Sequence, residues 1–220
     1  MMSANCFATE KCPLVLATLV NIGSEQIGDM IKVETEAWND DQAASASTIL
    51  ARIHTNKSSS YILYDDASKK PIGSVVVVPM DTFDEQSNRP WNFYAELVTS
   101  TEHFHNLKQP KAWYVISLTA TPSAPRGTGT ILFQKLKIFA RANNIESIYA
   151  GVRIANFRQH HLLHGTTIEK YLELLKQYDV SERAYGAAVR SGGVPKAILR
   201  NFYSDPSSMD FAILMAHQVQ

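Results

Sequence analysis

The stretch KAWYVISLTATPSAPRGTGTILFQKLKIFARANN, residues 111–144, changes its local character twice. Residues 111–121 are rich in β-branched and aromatic types, which suit a pleated strand. From Ile131 onward, Leu132, Leu136 and Phe139 recur at helical spacing and place an apolar stripe on one helix face. Between them stands Arg126-Gly127-Thr128-Gly129-Thr130. A glycine turn that runs into a helix gathers successive backbone N–H groups around a concave anion site, and the helix dipole adds a favourable field. Gly127 and Gly129 fit where a phosphate must reach the backbone or where φ is positive. Arg126 adds a guanidinium for a charge-assisted contact, and Thr128 and Thr130 add hydroxyls. No GxxxxGK[ST] and no GxGxxG is present, which excludes the P-loop and the dinucleotide fingerprint.

Working outward, PLVLATLVNI (13–22) predicts a strand covered on both faces. Ser24 is placed to N-cap a helix carrying Ile27, Met30, Ile31 and Trp38, and SASTILARIHT (45–55) predicts a second. SYILYDD and IGSVVVVPM flank ASKKP as an antiparallel pair. Residues 80–110 lack a period and are expected to form a helical insertion or a mobile lid. IESIYAGVRI (145–154) returns as a strand, and Thr166-x-x-Glu169 has capping-box spacing ahead of a stripe of Ile168, Tyr171, Leu172, Leu175 and Tyr178. SERAYGAAVRSGG predicts a helix stopped at Gly192-Gly193, and the last two strands, in VPKAILRNFY and MDFAILMAH, form a hairpin. The order of elements predicts an α/β (α+β) fold, a mixed central sheet with helices on both faces.

The 220 residues fit one domain, expected over 13–220 behind a loose segment 1–12. Lysine plus arginine equals aspartate plus glutamate at 21 each, without the basic excess that a nucleic-acid partner requires. Cys6 and Cys12 are too few for a disulfide scaffold and form no CxxC zinc pair, which points to a reducing, cytoplasmic setting. The apolar run at 13–22 is too short to span a bilayer, so no membrane partner is expected.

Arg126 to Ile131, set between a strand and a helix, resembles the Arg/Gln-x-x-Gly-x-Gly/Ala motif of the GNAT superfamily of acyl-CoA acyltransferases, with Ile131 where that motif has a small residue. The resemblance extends through the order of elements from 13 to 218. It implies a mostly antiparallel sheet whose fourth and fifth strands splay into a slot for the pantetheine arm of acetyl-CoA or another acyl-CoA. On that basis the cofactor-binding residues are Leu118, Thr119, Ala120 and Thr121, then Arg126, Gly127, Thr128, Gly129, Thr130 and Ile131 at the pyrophosphate. Asn156, in VRIAN, matches an asparagine that touches the cofactor in that family. No metal is implied, and the acceptor is a small-molecule amine or an acyl carrier protein. The segments GVRIANF, TTIEKYLELL and GGVPKAILRNFYSDPSSMDFAILM also resemble nitrilase-associated GNAT domains and the GNAT-like loading domains of polyketide synthases. Those relatives decarboxylate malonyl-CoA with a histidine and a threonine. The corresponding positions here are Ala187-Ala188 and Val152. A non-catalytic acyl-CoA-binding domain is the third expectation.

Acyl transfer needs a proton acceptor for the nucleophile and a donor for the departing thiolate. FRQHHLLHG places His160, His161 and His164 just after the fifth strand, so His160 and His161 are the proton-transfer candidates, with a plain solvated segment as the alternative. Arg153, at the strand end, is a candidate for an acyl carboxylate or a phosphate, or else for an ion pair. Trp38 is a candidate wall of the acyl pocket or a core residue, and Tyr149 and Tyr171 are candidate acids.

Overall fold

In the computed structural model residues 17–38 and 42–219 are described, so the expectations for 1–16 lie outside them. Fifteen strands and α-helices follow the chain: β1 (Ala17–Asn21), α1 (Ile27–Ala37), α2 (Ala46–Thr55), β2 (Ser60–Asp65), β3 (Pro71–Met80), α3 (Trp91–Leu97), α4 (Thr101–Asn106), β4 (Ala112–Ala120), α5 (Thr128–Ala142), β5 (Ser147–Arg153), α6 (Phe157–His164), α7 (Ile168–Lys176), α8 (Arg183–Arg190), β6 (Val194–Leu199) and β7 (Ala212–Gln218). The strands form a seven-stranded sheet in the order β1-β2-β3-β4-β5-β7-β6. Among the described residues only the β4–β5 pair is parallel, so the sheet is mostly antiparallel, as expected.

The sheet separates two cores. One gathers Leu132, Phe133 and Leu136 of α5 with Ile168, Tyr171 and Leu175 of α7 and Tyr185 and Ala188 of α8. The other gathers Met30 and Val33 of α1, Ile49 and Ile53 of α2 and Tyr94 of α3. The apolar spacing in α1, α2, α5 and α7 thus fixes which side of each helix meets the sheet, and two layers of helices cover both faces.

Several boundaries differ from the sequence reading. β1 is the sheet edge, and Thr18 and Asn21 are exposed, so the strand is not covered on both faces. Ser24 begins a short 3-10 turn instead of capping α1. There the Gln26 side chain accepts the Gly23 N–H at 2.8 Å and closes the entry. The cap of α7 is Thr167, whose hydroxyl accepts from Lys170 N, because the Thr166 carbonyl is held by His161 Nδ1 at 2.9 Å. Residues 80–110 resolve as a helical insertion. Its α3 is tied down by Trp91, whose Nε1 donates to the Ile116 carbonyl at 2.9 Å, and α4 by His103, whose Nε2 lies 2.8 Å from the Pro79 carbonyl.

Candidate functional site

Two facts of register shape the middle of the sheet. Val76 pairs with Ser117 and Val77 with Val115, so Ile116 is an extra residue bulged from β4. The β4–β5 ladder runs from Ala112 and Ser147 only as far as Val115 and Ala150, while both strands continue beyond it. A fork therefore opens in the sheet just after the bulge. Thr121 N donates to Ile72 O at 3.1 Å, which sets the alternation on the β3 side. By that alternation Thr119 and Thr121 turn their main-chain groups toward β3, and Leu118 and Ala120 turn theirs toward the fork. Of the four residues expected to line the slot, Leu118 and Ala120 are the two whose amides face it.

The candidate cradle, the glycine turn, lies at the exit of β4. Gly127 adopts φ +93° as the residue before α5, a left-handed conformation that glycine adopts without strain. α5 begins at Thr128, three residues before the apolar repeat, so the glycine turn is the helix N-terminus itself. Thr128 N and Oγ1 both bond Pro125 O, and Ile131 N donates to Gly127 O. The Gly129 and Thr130 amides stand between them in the first turn, where no intrahelical acceptor exists. Thr130 Oγ1 is buried without a hydrogen-bond partner, an orphan beside the cradle that a ligand oxygen would satisfy. A Cβ on Gly129 would meet only Ala187 Cβ, at 3.4 Å, so packing does not demand glycine there. Ile131 packs its side chain against the first core and donates its amide to Gly127 O. Arg126 is exposed at the rim.

On the α1 face of β4 a second group converges. Trp38 Nε1 donates to Thr119 Oγ1 at 2.9 Å, and Thr119 Oγ1 lies 3.0 Å from Ser117 Oγ. Glu34, one helical turn before Trp38, is 4% exposed, and its Oε1 accepts Ala44 N at 3.1 Å. Burial raises the Glu34 carboxyl above the usual carboxylate range, against the opposing pull of the Ala44 amide, the Arg52 charge and the Thr119 hydroxyl. Arg52 is 3% exposed, burial lowers its pKa, and its Nε has no hydrogen-bond partner. Trp38, expected as an acyl-pocket wall or a core residue, reaches β4 through its bond to Thr119. Glu34 and Ser117 were missed. A glutamate on an amphipathic helix reads as a solvated face, and only the place of Glu34 beside Met30 and Val33 on the buried face of α1, against the loop at Ala44, makes it different.

At the far end of β5, Arg153 is engaged. Its Nε and Nη2 bond Asp205 Oδ2 and Oδ1 at 2.5 and 2.9 Å, and Nη2 also reaches Ser207 Oγ. Of the two alternatives for Arg153 the structure takes the ion pair. Burial works to raise the Asp205 carboxyl, but the hydrogen bonds from Arg153, Ser207 and Ser208 bring it down to about 2. Asn156 precedes α6 with its amide group on Ser181 O and its N–H on Glu182, so its side chain is committed to the α7–α8 connection. His160, His161 and His164 lie on α6, a helix and not a loop. His160 packs on Tyr171 and His164, and His161 on Thr166 O. Among the described residues no hydrogen bond or ring contact joins either candidate histidine to β4. The Tyr149 and Tyr171 hydroxyls donate to Glu85 and Glu182. Ala187, Ala188 and Val152, the positions matched to the loading-domain pair, carry no proton-transfer group, and the latter two are buried.

Two contacts cover the sheet on the α1 side. Phe202 lies over Gly151 so closely that a Cβ there would fall 2.3 Å from its Cζ. The Phe202 carbonyl also accepts Trp91 N at 2.7 Å, and the Trp91 ring meets Tyr203 edge-on.

No protein-family model and no curated protein matches this sequence. Solved structures do match. The chain superposes on the loading GNATL domain of CurA from Lyngbya majuscula with a TM-score of 0.74 at 14% identity, covering 93% of this chain and 98% of that one. The GphF GNAT-like decarboxylase in complex with isobutyryl-CoA gives 0.73 at 14% identity over 92% and 100%. The GNAT-family acetyltransferase from Bacillus anthracis gives 0.53 at 8% identity over 92% and 94%. The fold is therefore that of the GNAT-like domains.

Proposed function

We propose that the chain is an acyl-CoA-dependent acyltransferase that moves an acetyl or other short acyl group to an amine or thiol acceptor by direct attack. The observation that carries this reading is the fork between β4 and β5 with a helix N-terminus at its end. The cradle of Gly129 and Thr130 amides takes the pyrophosphate, with Arg126 at its rim. Leu118 and Ala120 main-chain groups hold the pantetheine amides in the fork. The acyl thioester then lies beside the β4 bulge, where a backbone N–H of the fork edge polarises its carbonyl as the tetrahedral oxyanion forms. In the overall reaction the acceptor N–H or S–H gives up its proton, the acceptor bonds to the carbonyl carbon, and the C–S bond breaks to release CoA thiol. His160 and His161 fit this role less well than the group on the α1 face, because they are spent on α7 and the turn before it.

A second reading has its own support. The CurA loading domain and the GphF decarboxylase superpose at TM-scores above 0.7, against 0.53 for the Bacillus anthracis acetyltransferase. Decarboxylative loading of a carrier protein needs the same fork and cradle. The alanines of α8 and the valine of β5 weigh against it.

Separate incubation with acetyl-CoA and malonyl-CoA, across a panel of amines and a carrier protein, tests both. Binding with thiol release but no carbon dioxide is expected, and carbon dioxide from malonyl-CoA selects the second reading. Binding without turnover leaves a non-catalytic acyl-CoA-binding domain, and absence of binding overturns all of them. In the same calorimetric assay Gly129→Glu abolishes acetyl-CoA binding, since its carboxylate occupies and repels the pyrophosphate site. Unchanged affinity in that variant removes the cradle from the proposal.

A further inference from the structure

We propose that Phe202 is the specificity-determining residue of the acyl site, an aromatic stop at the mouth of the fork that holds the acyl group to acetyl size. The inference rests on the acyltransferase reading and adds to it the residue that selects among acyl groups.

Register places the stop. Val115 and Ala150 are the last residues paired between β4 and β5, so the bulged Ile116 and Gly151 are the first on either side of the fork. Side-chain positions along β5 alternate between the two cores, with Tyr149 in the second and Ala150 in the first, so the Gly151 position faces the second core on the α1 side. Phe202 fills that position, since a Cβ on Gly151 would lie 2.3 Å from its Cζ and 2.6 Å from its Cε1. On the other prong the bulged Ile116 carbonyl accepts Trp91 Nε1 at 2.9 Å. Trp91 N in turn donates to Phe202 O at 2.7 Å, so this aromatic pair reaches from β5 to β4 across the mouth.

The ring is held in place. Phe202 N donates to Asp210 O at 2.9 Å, so with its carbonyl on Trp91 both main-chain groups are engaged, and the residue is 6% exposed. A close-packed ring that cannot swing aside discriminates by length, because each further methylene of an acyl chain must displace it.

A second observation points to a ligand at the same place. The Tyr114 hydroxyl ends 2.9 Å from that Gly151 Cβ position. Its ring is fully buried, with Tyr94 stacked on it at 3.9 Å and Phe83 at 5.4 Å. Among the described residues the hydroxyl has no hydrogen-bond partner. Burial raises its pKa well above the usual tyrosine range, with Tyr94 adding to the shift and the Gly151 main chain opposing it, so the group stays a donor. A ring that only filled the core would have no use for an unsatisfied hydroxyl beside it. An acyl oxygen that enters between the prongs accepts from Tyr114, and the methyl group beyond it meets Phe202.

The test measures by calorimetry the affinities of free CoA and of acetyl-, butyryl- and hexanoyl-CoA for wild type, Phe202→Ala, Phe202→Leu and Tyr114→Phe. Wild type is expected to bind acetyl-CoA at least about tenfold more tightly than butyryl-CoA, and hexanoyl-CoA more weakly still. Phe202→Ala binds butyryl-CoA at least as tightly as acetyl-CoA, with free CoA within about twofold of wild type. Phe202→Leu keeps an apolar side chain in the core and moves the preference the same way by a smaller factor, which carries the test if the alanine variant fails to fold. Tyr114→Phe loses about tenfold for acetyl-CoA and nothing for free CoA. An unaltered order of affinities in the Phe202 variants overturns the stop, as does a loss shared equally by free CoA and every acyl-CoA. Tyr114→Phe with wild-type affinity for acetyl-CoA overturns the placement of the acyl group at Gly151. Wild type that binds all three acyl-CoAs alike overturns the stop alone. Wild type that binds neither CoA nor any acyl-CoA overturns the acyltransferase reading on which it rests.

Discussion

Glu34 and Asp205 are both buried carboxyls, one on α1 and one in the β6–β7 connection, and their surroundings push them in opposite directions. Asp205 accepts two bonds from Arg153 and further ones from Ser207, so its charge is satisfied and its proton affinity falls. Glu34 has one backbone donor, a nearby cation that makes no ion pair with it within 4 Å, and a hydroxyl. The difference separates a charge that the fold uses from one that the fold leaves available. Structural carboxylates are surrounded by donors, whereas a group kept for proton transfer is left with spare acceptor capacity in a desolvated place.

The comparison breaks first at the level of rate. If Glu34 is only an anchor for Ala44, Glu34→Gln retains wild-type turnover in the acetyl-CoA thiol-release assay, whereas a rate lost with affinity kept gives the carboxyl a part in the reaction. Asp205→Asn should leave turnover per folded molecule unchanged, because that residue serves the fold.

Stability sharpens the contrast with the signs exchanged. The Asp205 carboxyl is lowered from 3.8 to about 2, so its contribution is fully present above pH 3.8 and is lost as pH falls through about 2. Asp205→Asn is expected to cost about 2 kcal/mol near neutral pH, a fall in Tm of roughly 4–8 °C for a chain of this size. Wild type and variant should converge in acid, as thermal melts from pH 7 to pH 2 will show. For Glu34 the folded value is raised above 4.5, so the unfolded chain gives up this proton first and stability is lost as pH climbs through that window. Glu34→Gln should therefore melt at or slightly above the wild-type temperature at neutral pH. A variant destabilised as much as Asp205→Asn would place both carboxyls in the same structural class.

The two glycines of the turn repeat the comparison on a smaller scale. Gly127 is required by its φ of +93°, and Gly127→Ala should cost about 1 kcal/mol. Gly129 is helical and meets only Ala187, so Gly129→Ala should leave the melt unchanged while weakening acetyl-CoA binding about tenfold. Equal stability loss in both variants would mean that the second glycine also serves the fold.

Much of this molecule was legible along the chain. The valine-rich hairpin, the strong strand at 112–120 and the helix behind it were read from period and composition. The glycine turn was placed at the right junction. The boundaries slipped where a local choice had two near-equal solutions, as at Thr166 against Thr167, or Ser24 against Gln26. The insertion at 80–110 had no readable period because α3 and α4 are only seven and six residues long. The histidine cluster drew attention by residue type, but α6 directs it to α7. Asn156 and Arg153, both plausible at a strand end, are consumed by Ser181 and Asp205.

The sequence by itself determined the elements, the mostly antiparallel mixed sheet and the glycine turn at the start of α5. These depend on short-range spacing, backbone conformation and which faces are apolar. The tertiary structure decided where the fork opens, which of two buried carboxyls is spent, and that Trp38 meets Thr119 across 81 residues. Those outcomes depend on burial and on hydrogen bonds between distant segments, whose energies are set only once the helices pack onto the sheet.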